Sequence, residues 1–489
     1  MTTTQLITLT IQQLLSQADV LVSLMFIPQM ILFFVFGIEG LVIDAIYWGK
    51  KLGPIKMTPE EFKPWKQLPQ KRIAIMVACW HEEDVIEAMI TGNLKRVEYD
   101  TYEFFLGVYP NDTATLEIAK RLDATYPRVH CIVNSKEGPT CKGQMINEIV
   151  KNIFRMEEET GVPYDVVMYH DSEDAIHPLS LYVVNKMLND YDFVQIPVFS
   201  FPLPYNLLTG GTYMDEFAEC HLKELLVRGH CRSSIPSAGV GTAFTTNFLR
   251  IFLEANNGHL FNPKSLTEDY ELGVTCHRMG YKQILANVCV VNGKNKDYIS
   301  TREFFPQAFS AAVRQKSRWN LGIMFQAFIN LGWGKTFREN YFLYRDRIGL
   351  ISTPMALISG VLFTYALFRH LMGVNFLAMG IEKGYFTAST IDMLKYFVLA
   401  NVVFMVNRIL HRAYFAHTLY GWGHAFMSPV RLILGNIINC FALIKATKQF
   451  ITSKLTGKAP KWLKTQHIIP VMLPTPGSES QNSPEGAKA

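Results

Sequence analysis

Three carboxylates fall within four residues at Asp171, Glu173 and Asp174, straight after the apolar run Val166 to Tyr169. Like charges about 4 Å apart repel by roughly 4 kcal/mol at an effective dielectric near 20, so acids clustered this way need a cation. Hard oxygen ligands suit Mg2+ or Mn2+, ions that share their shell with substrate phosphates. The apolar run reads as a buried strand of an α/β sheet, with Pro178 marking the exit from it. In open α/β sheets ligands sit beyond the carboxyl ends of the strands, which is where these acids lie.

Other elements must bring partners to that edge. Arg72 to Trp80 is a strand-like run, and His81, Glu82, Glu83 and Asp84 are expected to cap the helix after it. Glu103 to Tyr109 predicts a second strand that ends at Asp112, and Val129 to Asn134 a third. Thr115 to Tyr126 and Lys142 to Phe154 have helical spacing. This alternation predicts right-handed βαβ units and a mostly parallel sheet. Glu82 and Glu83, Asp112, and Asp171 with Glu173 then collect at one edge, the geometry of a nucleotide pocket.

Two later motifs add chemistry. Thr267, Glu268 and Asp269 open a helix with acids in its first turn, where the helix dipole favours them. Gln315, Arg318 and Trp319 set an amide, a guanidinium and an indole close together on a helix. An arginine forks onto a diphosphate, and an indole stacks on the apolar face of a sugar.

The flanks are apolar. Leu21 to Trp48 is long enough to cross a bilayer, and Lys50, Lys51 and Lys56 follow it, which by the positive-inside rule puts the next domain in the cytoplasm. It lacks a basic n-region and a small-residue cleavage site, so it reads as a retained anchor. Arg347 to His370 and the region around Met393 to Val406 predict two further spans. Pro429 to Ile451 carries Arg431, Asn436, Asn439, Lys445 and Lys448 along one face, which favours an interfacial helix over a crossing. The net charge of +5 makes no case for nucleic acid. The eight cysteines form no CxxC pair and read as reduced thiols. Cys220 with His221 and His230 with Cys231 are read as structural, because adjacent ligands rarely fit one tetrahedron.

In this order the motifs resemble the membrane-embedded family 2 glycosyltransferases, the group of cellulose, chitin and hyaluronan synthases, whose signature is D, DxD, TED and QxxRW on a GT-A fold. Asp112 matches the first acid, Asp171-Ser172-Glu173 the DxD, Thr267-Glu268-Asp269 the TED, and Gln315 to Trp319 the last motif. Lys142 and Asn147 match a KxxxxN-like element. The wording of these motifs, with Trp462 to His467 in the tail, is most similar to NfrB-like inner-membrane transferases of an exopolysaccharide system that also serves as a phage receptor.

The resemblance implies roles. Glu82 and Asp112 would hold the uridine and Lys142 the nucleotide. Asp171 and Glu173 would coordinate Mg2+ or Mn2+ on the diphosphate, with Asp174 as an alternative ligand because Glu173 replaces the second Asp. Asp269 would be the general base. Glu268, Gln315, Arg318 and Trp319 would hold the acceptor end and the diphosphate, and Gly241 and Thr242 would contact the acceptor. NfrB-like proteins carry a C-terminal cyclic-dinucleotide domain; no segment here matches one, which puts regulation by cyclic di-GMP in doubt.

The expected organisation is an N-terminal segment at 1–20, a transmembrane helix at 21–48, and a cytoplasmic GT-A domain at 65–300. Amphipathic interfacial helices with QxxRW follow at 301–346, two transmembrane helices at 347–412, an interfacial helix at 425–452 and a cytoplasmic tail at 453–489. The expected activity is processive, inverting transfer from a UDP-sugar into an exported exopolysaccharide at a bacterial inner membrane. The alternatives are single transfer to a lipid carrier, or a receptor or scaffold with an inactive transferase domain. The expected partners are the UDP-sugar, the growing polysaccharide and the bilayer. Three crossings are too few to enclose a polysaccharide channel in one protomer, so self-association or an outer-membrane export partner is expected as well.

Overall fold

The computed structural model describes residues 3–457, apart from 257, 263–264 and 386. The segment expected at 1–20 and the apolar stretch after it form one continuous helix, α1 (Thr3–Gly49), which carries Pro28 within it. A short strand, β1 (Ile55–Met57), and helix α2 (Pro59–Lys66), started by a Thr58/Glu61 capping box, lead into the central sheet.

That sheet begins as the apolar runs predict. Strand β2 (Ile73–Ala78) is followed by α3 (Ile86–Arg96), β3 (Tyr102–Val108), α4 (Thr113–Thr125), β4 (Val129–Val133), α5 (Lys142–Thr160) and β5 (Val166–His170). Side chains alternate across a strand, so Ile73, Ile75 and Val77 enter the core on one face, and Ala74 and Met76 meet Met145, Ile146 and Ile149 of α5 on the other. Burial on both faces is why these strands read as unbroken apolar runs.

The chain continues through α6 (Ser180–Met187), β6 (Phe193–Gln195), β7 (Val198–Ser200) and α7 (Leu208–Glu219), then a π-helical turn at Cys220–Glu224 and α8 (Leu225–His230). Strand β8 (Thr242–Thr245), α9 (Thr246–Ala255), α10 (Glu268–Arg278), β9 (Gln283–Leu285), β10 (Val288–Asn292), β11 (Asn295–Ile299) and β12 (Thr301–Glu303) complete the domain. The central sheet has the order β4-β3-β2-β5-β8-β6-β9, parallel except for β8, which runs against both of its neighbours. In register, Ala78 lies beside Gly107, and Val77 beside His170. The carboxyl ends of β2, β3 and β5 therefore open onto one edge.

Helices α11 (Phe309–Asn320), α12 (Ala327–Leu331), α13 (Phe337–Arg347), α14 (Gly349–Leu371), α15 (Phe376–Glu382), α16 (Ala388–Tyr420) and α17 (Trp422–Thr456) follow. Among the described residues, four helices are long and apolar enough to cross a membrane: Gln5–Gly49, Gly349–Leu371, Asp392–Tyr420 and Trp422–Thr456. They are not alike. Helix α14 buries none of its residues, whereas α17 buries Arg431, Gly435, Ile438, Ala442 and Ala446 along one face that packs on α7 and α11. Its other face exposes Phe426, Ile433, Phe441 and Ile444. The tail motif Trp462 to His467 lies outside the described residues.

At the sheet end away from the acids, Glu103 accepts hydrogen bonds from Arg72 Nη2 at 2.8 Å and Tyr164 Oη at 2.7 Å, and its other contact is His130 Nε2 at 2.6 Å. Burial alone would raise its pKa, but the bonds from His130, Tyr164 and Arg72 override that and bring it down to about 2. A depressed carboxylate stabilises fully above its unfolded value, near 4.5, and loses that contribution as pH falls toward the folded value. Thermal melts of the protein in detergent micelles are thus expected to drop between those two pH values. In Glu103→Gln this acid-dependent step disappears, and stability at neutral pH falls by about 1–3 kcal/mol. An unchanged acid profile in the variant would remove Glu103 as its source.

Candidate active site

The sheet edge, α5, α10 and α11 form a cleft open to solvent. It is lined by Glu82, Lys142, Asp171, Glu173, Glu268, Asp269, Gln315, Arg318 and Trp319, residues spread over 238 positions of sequence and brought to one wall system. The turn after β2 supplies Glu82. His81 there has φ +55, which aims its backbone N–H at Asp112 Oδ2, 2.6 Å away. The expected side-chain cap on α3 does not form. Val85 and Ile86 donate instead to the Glu82 carbonyl at 3.0 Å, since Glu82 lines the cleft and Glu83 lies beside Asp112.

Asp112 is buried at the border of the cleft, outside its lining. With His81 and Glu83 it forms a group whose ligand atoms all lie within 4.8 Å of one another, close enough to hold a metal ion. A second acidic site lies at the end of β5, where Asp171, Ser172 and Glu173 line the cleft. Asp174 does not. Its Oδ2 accepts the Asp171 N–H at 3.0 Å and lies 2.7 Å from His170 Nδ1, deep in the core. Burial pushes His170 down to about 3, and burial with the Asp171 and Glu173 charges pushes Asp174 well up. Asp174 holds the turn, and Asp171 and Glu173 face the ligand space.

Lys142 is the first residue of α5 and pairs with Asp171. Asn147 has a different task. Its side chain accepts from Leu260 and Phe261 N–H and donates to the Phe261 carbonyl, at 2.9–3.0 Å, fixing the loop ahead of α10. Asp269 stands at the start of α10, its Oδ1 accepting the Tyr270 N–H at 2.8 Å. Burial raises the pKa of Asp269, with the Asp171 charge adding to it. Glu268 beside it is pushed up to about 7 by burial and then by Asp269. These acids take up protons more readily than ordinary carboxylates.

Helix α11 presents Gln315, Arg318 and Trp319 to the cleft and turns Lys316 away. Lys316 Nζ meets Glu216 of α7 at 2.5 Å and Asn439 of α17 at 2.9 Å, while Ser317 donates to Gln449 at 3.2 Å. These bonds set the rotation of the helix. Gln315 Oε1 is buried with no hydrogen-bond partner among the described residues, an acceptor oriented for a donor that a bound ligand can provide. The turn that continues α11 comes so near α10 that a Cβ on Gly322 would sit 2.3 Å from Thr267 Oγ1.

A family profile described as glycosyltransferase-like family 2 matches residues 69–322, the stretch that carries every one of these groups. The chain belongs to glycosyltransferase family 2. Its α/β domain is of the GT-A type, with a mostly parallel sheet and apolar helices that could span a membrane. The chain is also similar to bacteriophage adsorption protein B of Escherichia coli strain K12, 32% identical over 464 residues, covering 90% of this chain and 61% of that protein. The bacteriophage N4 adsorption protein B of Escherichia coli O157:H7 matches with the same figures. This chain thus spans 61% of the length of these relatives. Among solved structures, the mannosyltransferase PcManGT from Pyrobaculum calidifontis in complex with GDP-Man and Mn2+ is similar at TM-score 0.46 and 13% identity, over 80% of this chain and 98% of that one. S. aureus TarS in complex with UDP-GlcNAc is similar at TM-score 0.33 and 12% identity, over 56% and 70%.

Two residues that the family resemblance assigned to the acceptor lie elsewhere. Gly241 pairs with Tyr169 and Ile196 through its backbone, and Thr242 Oγ1 is buried against Gln195 Oε1 at 2.8 Å and Ser237 Oγ at 2.7 Å. Both sit behind the floor of this family 2 site, where β8 joins the sheet. The neighbouring Ala238, Gly239 and Val240 line it instead. Gly239 has φ +81, and a Cβ there would lie 2.8 Å from Asp269 Oδ2, so only glycine lets the chain pass this close to that acid. Gly239 was not evident from the sequence, where its signal is two glycines spaced by one residue ahead of Thr242. Nor were Trp80 and Tyr109, which meet edge to face at 5.1 Å on the Glu82 side, or Glu303 and Phe305 opposite.

Proposed function

We propose that this glycosyltransferase is an active, inverting enzyme that transfers a sugar from a nucleoside diphosphate donor, most simply a UDP-sugar, onto a growing polysaccharide. The observation that supports it best is the meeting of Asp269 with the donor-side acids and with Gln315, Arg318 and Trp319 in one cleft. A protein that only bound its ligand would have no use for a carboxylate of raised pKa between those two sets. In this reading Asp269 Oδ2 takes the proton of the acceptor hydroxyl. The freed oxygen pair attacks the anomeric carbon, and the bond to the diphosphate breaks on the opposite face, inverting the centre. Arg318 receives the diphosphate as its charge grows, and Gln315 and Trp319 orient the acceptor. Glu82 recognises the base beside Trp80 and Tyr109, and Asp112, buried outside the lining, holds the turn through the His81 backbone N–H.

The donor set fits a divalent ion. The described lining holds six acids, Glu82, Asp171, Glu173, Glu268, Asp269 and Glu303, against the cations of Lys142 and Arg318. An anionic diphosphate entering such a field needs added positive charge. Mg2+ or Mn2+ on Asp171 and Glu173 would supply it, lowering the charge on the leaving diphosphate. Mn2+ binding with UDP, read by electron paramagnetic resonance, is expected to vanish in Asp171→Ala and Glu173→Ala. Asp174→Asn should keep Mn2+ and lose thermal stability, since that side chain secures the turn. Metal loss in Asp174→Asn with retention in Glu173→Ala would exchange the two roles.

For the membrane we propose that α1, α14 and α16 cross and that α17 lies in the interface with the catalytic domain on the cytoplasmic side. The one-sided burial of α17 supports this, and Lys50 and Lys51 after α1 agree with it. Incubating the purified protein with UDP-sugars and, separately, GDP-mannose tests the function. Release of the nucleoside diphosphate with long products supports polymerisation at a bacterial inner membrane. A single sugar on an isoprenoid phosphate makes the enzyme a lipid-carrier transferase, and no release with any donor makes it a receptor or scaffold.

A further inference from the structure

Lys142 occupies an unusual position. The first turn of a helix carries partial positive charge, so a lysine at the opening of α5 is disfavoured there unless acids compensate it. The compensation is local: Lys142 pairs with Asp171 and lies 4.8 Å from the centre of the Tyr169 ring. The carboxylate it pairs with is the one assigned above to the metal ion.

We propose that Lys142 is an internal counter-ion that competes with the divalent cation for Asp171 and gives way when a nucleoside diphosphate offers its phosphates as a new partner. This rests on the reading that Asp171 and Glu173 hold the ion. A divalent cation approaching Asp171 meets a like charge already seated there, so it binds weakly on its own. The diphosphate arrives at the α5 N-terminus, draws the ammonium away from Asp171 and leaves the carboxylate open. Metal and donor then bind cooperatively, each raising the affinity of the other by the same factor. In this scheme the enzyme does not load a metal before its donor.

Mn2+ titrations of the full chain in detergent micelles, followed by electron paramagnetic resonance, test this with and without UDP. For the wild type, UDP is expected to tighten Mn2+ by about 5- to 150-fold, the usual range of coupling between two sites. In Lys142→Met, with Lys142→Gln as a second neutral replacement, Mn2+ without nucleotide should bind tighter by a factor in the same range, while UDP without metal binds more weakly. Shifts of opposite sign separate competition from simple damage, which would weaken both. Unchanged or weaker Mn2+ binding in a folded neutral variant overturns the proposal, and so does a wild type whose Mn2+ affinity ignores UDP. If the wild type binds no Mn2+ even with UDP, the metal reading itself fails.

Discussion

Asp269→Asn is expected to abolish sugar transfer while leaving binding of the nucleoside diphosphate within a factor of about two. Asn keeps the shape and can still accept the Tyr270 N–H, but it cannot take a proton. General base catalysis contributes about 10²- to 10⁴-fold, and a loss of that size should appear in kcat with little change in donor affinity measured by calorimetry. The pH dependence follows with its sign fixed. The base works deprotonated, and burial raises its pKa, so the acid limb of wild-type activity should lie above the range of an ordinary aspartate. Wild-type turnover in the variant, or an acid limb near the ordinary aspartate value, would remove Asp269 from this role.

The second large effect concerns stability. Arg431 on α17 forks onto Asp215 of α7 through two bonds of 2.9 Å, and both side chains are almost wholly buried. Removing one partner of such a pair strands the other charge and costs about 3–5 kcal/mol. Arg431→Met should therefore lower the melting temperature sharply. The double replacement Arg431→Met with Asp215→Leu should recover much of the loss, because a buried pair exchanged for apolar groups of similar volume is often neutral. A mild single variant would mean that α17 docks without help from the Arg431–Asp215 pair.

How legible these features were depends on how local their causes are. Strands β2, β3 and β5 could be read because burial on both faces writes them as apolar runs, with acids starting where the strand stops. Gln315, Arg318 and Trp319 share one helix face, so their spacing sufficed to set them together, and the TED acids are adjacent in the chain at the start of α10. Asp174 could not be separated from Glu173, since the difference is made by His170 and by which way a turn closes. Thr242 was drawn to the site by a motif match, yet its hydroxyl belongs to Gln195, on a strand that pairs with it only after β8 inserts against its neighbours. The polar stripe of α17 was visible, but not its meaning: Arg431, Asn439 and Gln449 find partners at Asp215, Lys316 and Ser317, more than 100 residues away. The start of α1 was hidden because its first turns carry polar residues on an otherwise uninterrupted helix.

That helix is longer than a bilayer is thick. At 1.5 Å per residue, the 47 residues of α1 make a rod of about 70 Å, against a hydrocarbon layer of about 30 Å and about 45 Å with headgroups. Its neighbour α14 measures the difference. Ser359 of α14 bonds Gln29 at 2.6 Å, and ten residues along each helix Arg369 meets Asp19, also at 2.6 Å. If α1 and α14 cross as proposed, antiparallel partners in that register would put Asp19 and Arg369 at the headgroup level opposite Trp48, where an ion pair is tolerated. In that arrangement the turns ahead of Asp19 would rise beyond the surface as a mast of about 24 Å, and Leu6, Ile7, Leu9, Ile11 and Leu14 are exposed around them. On a free rod in water such a ring of apolar side chains would be costly, so a crossing α1 would leave its first turns in need of an apolar surface to stand against.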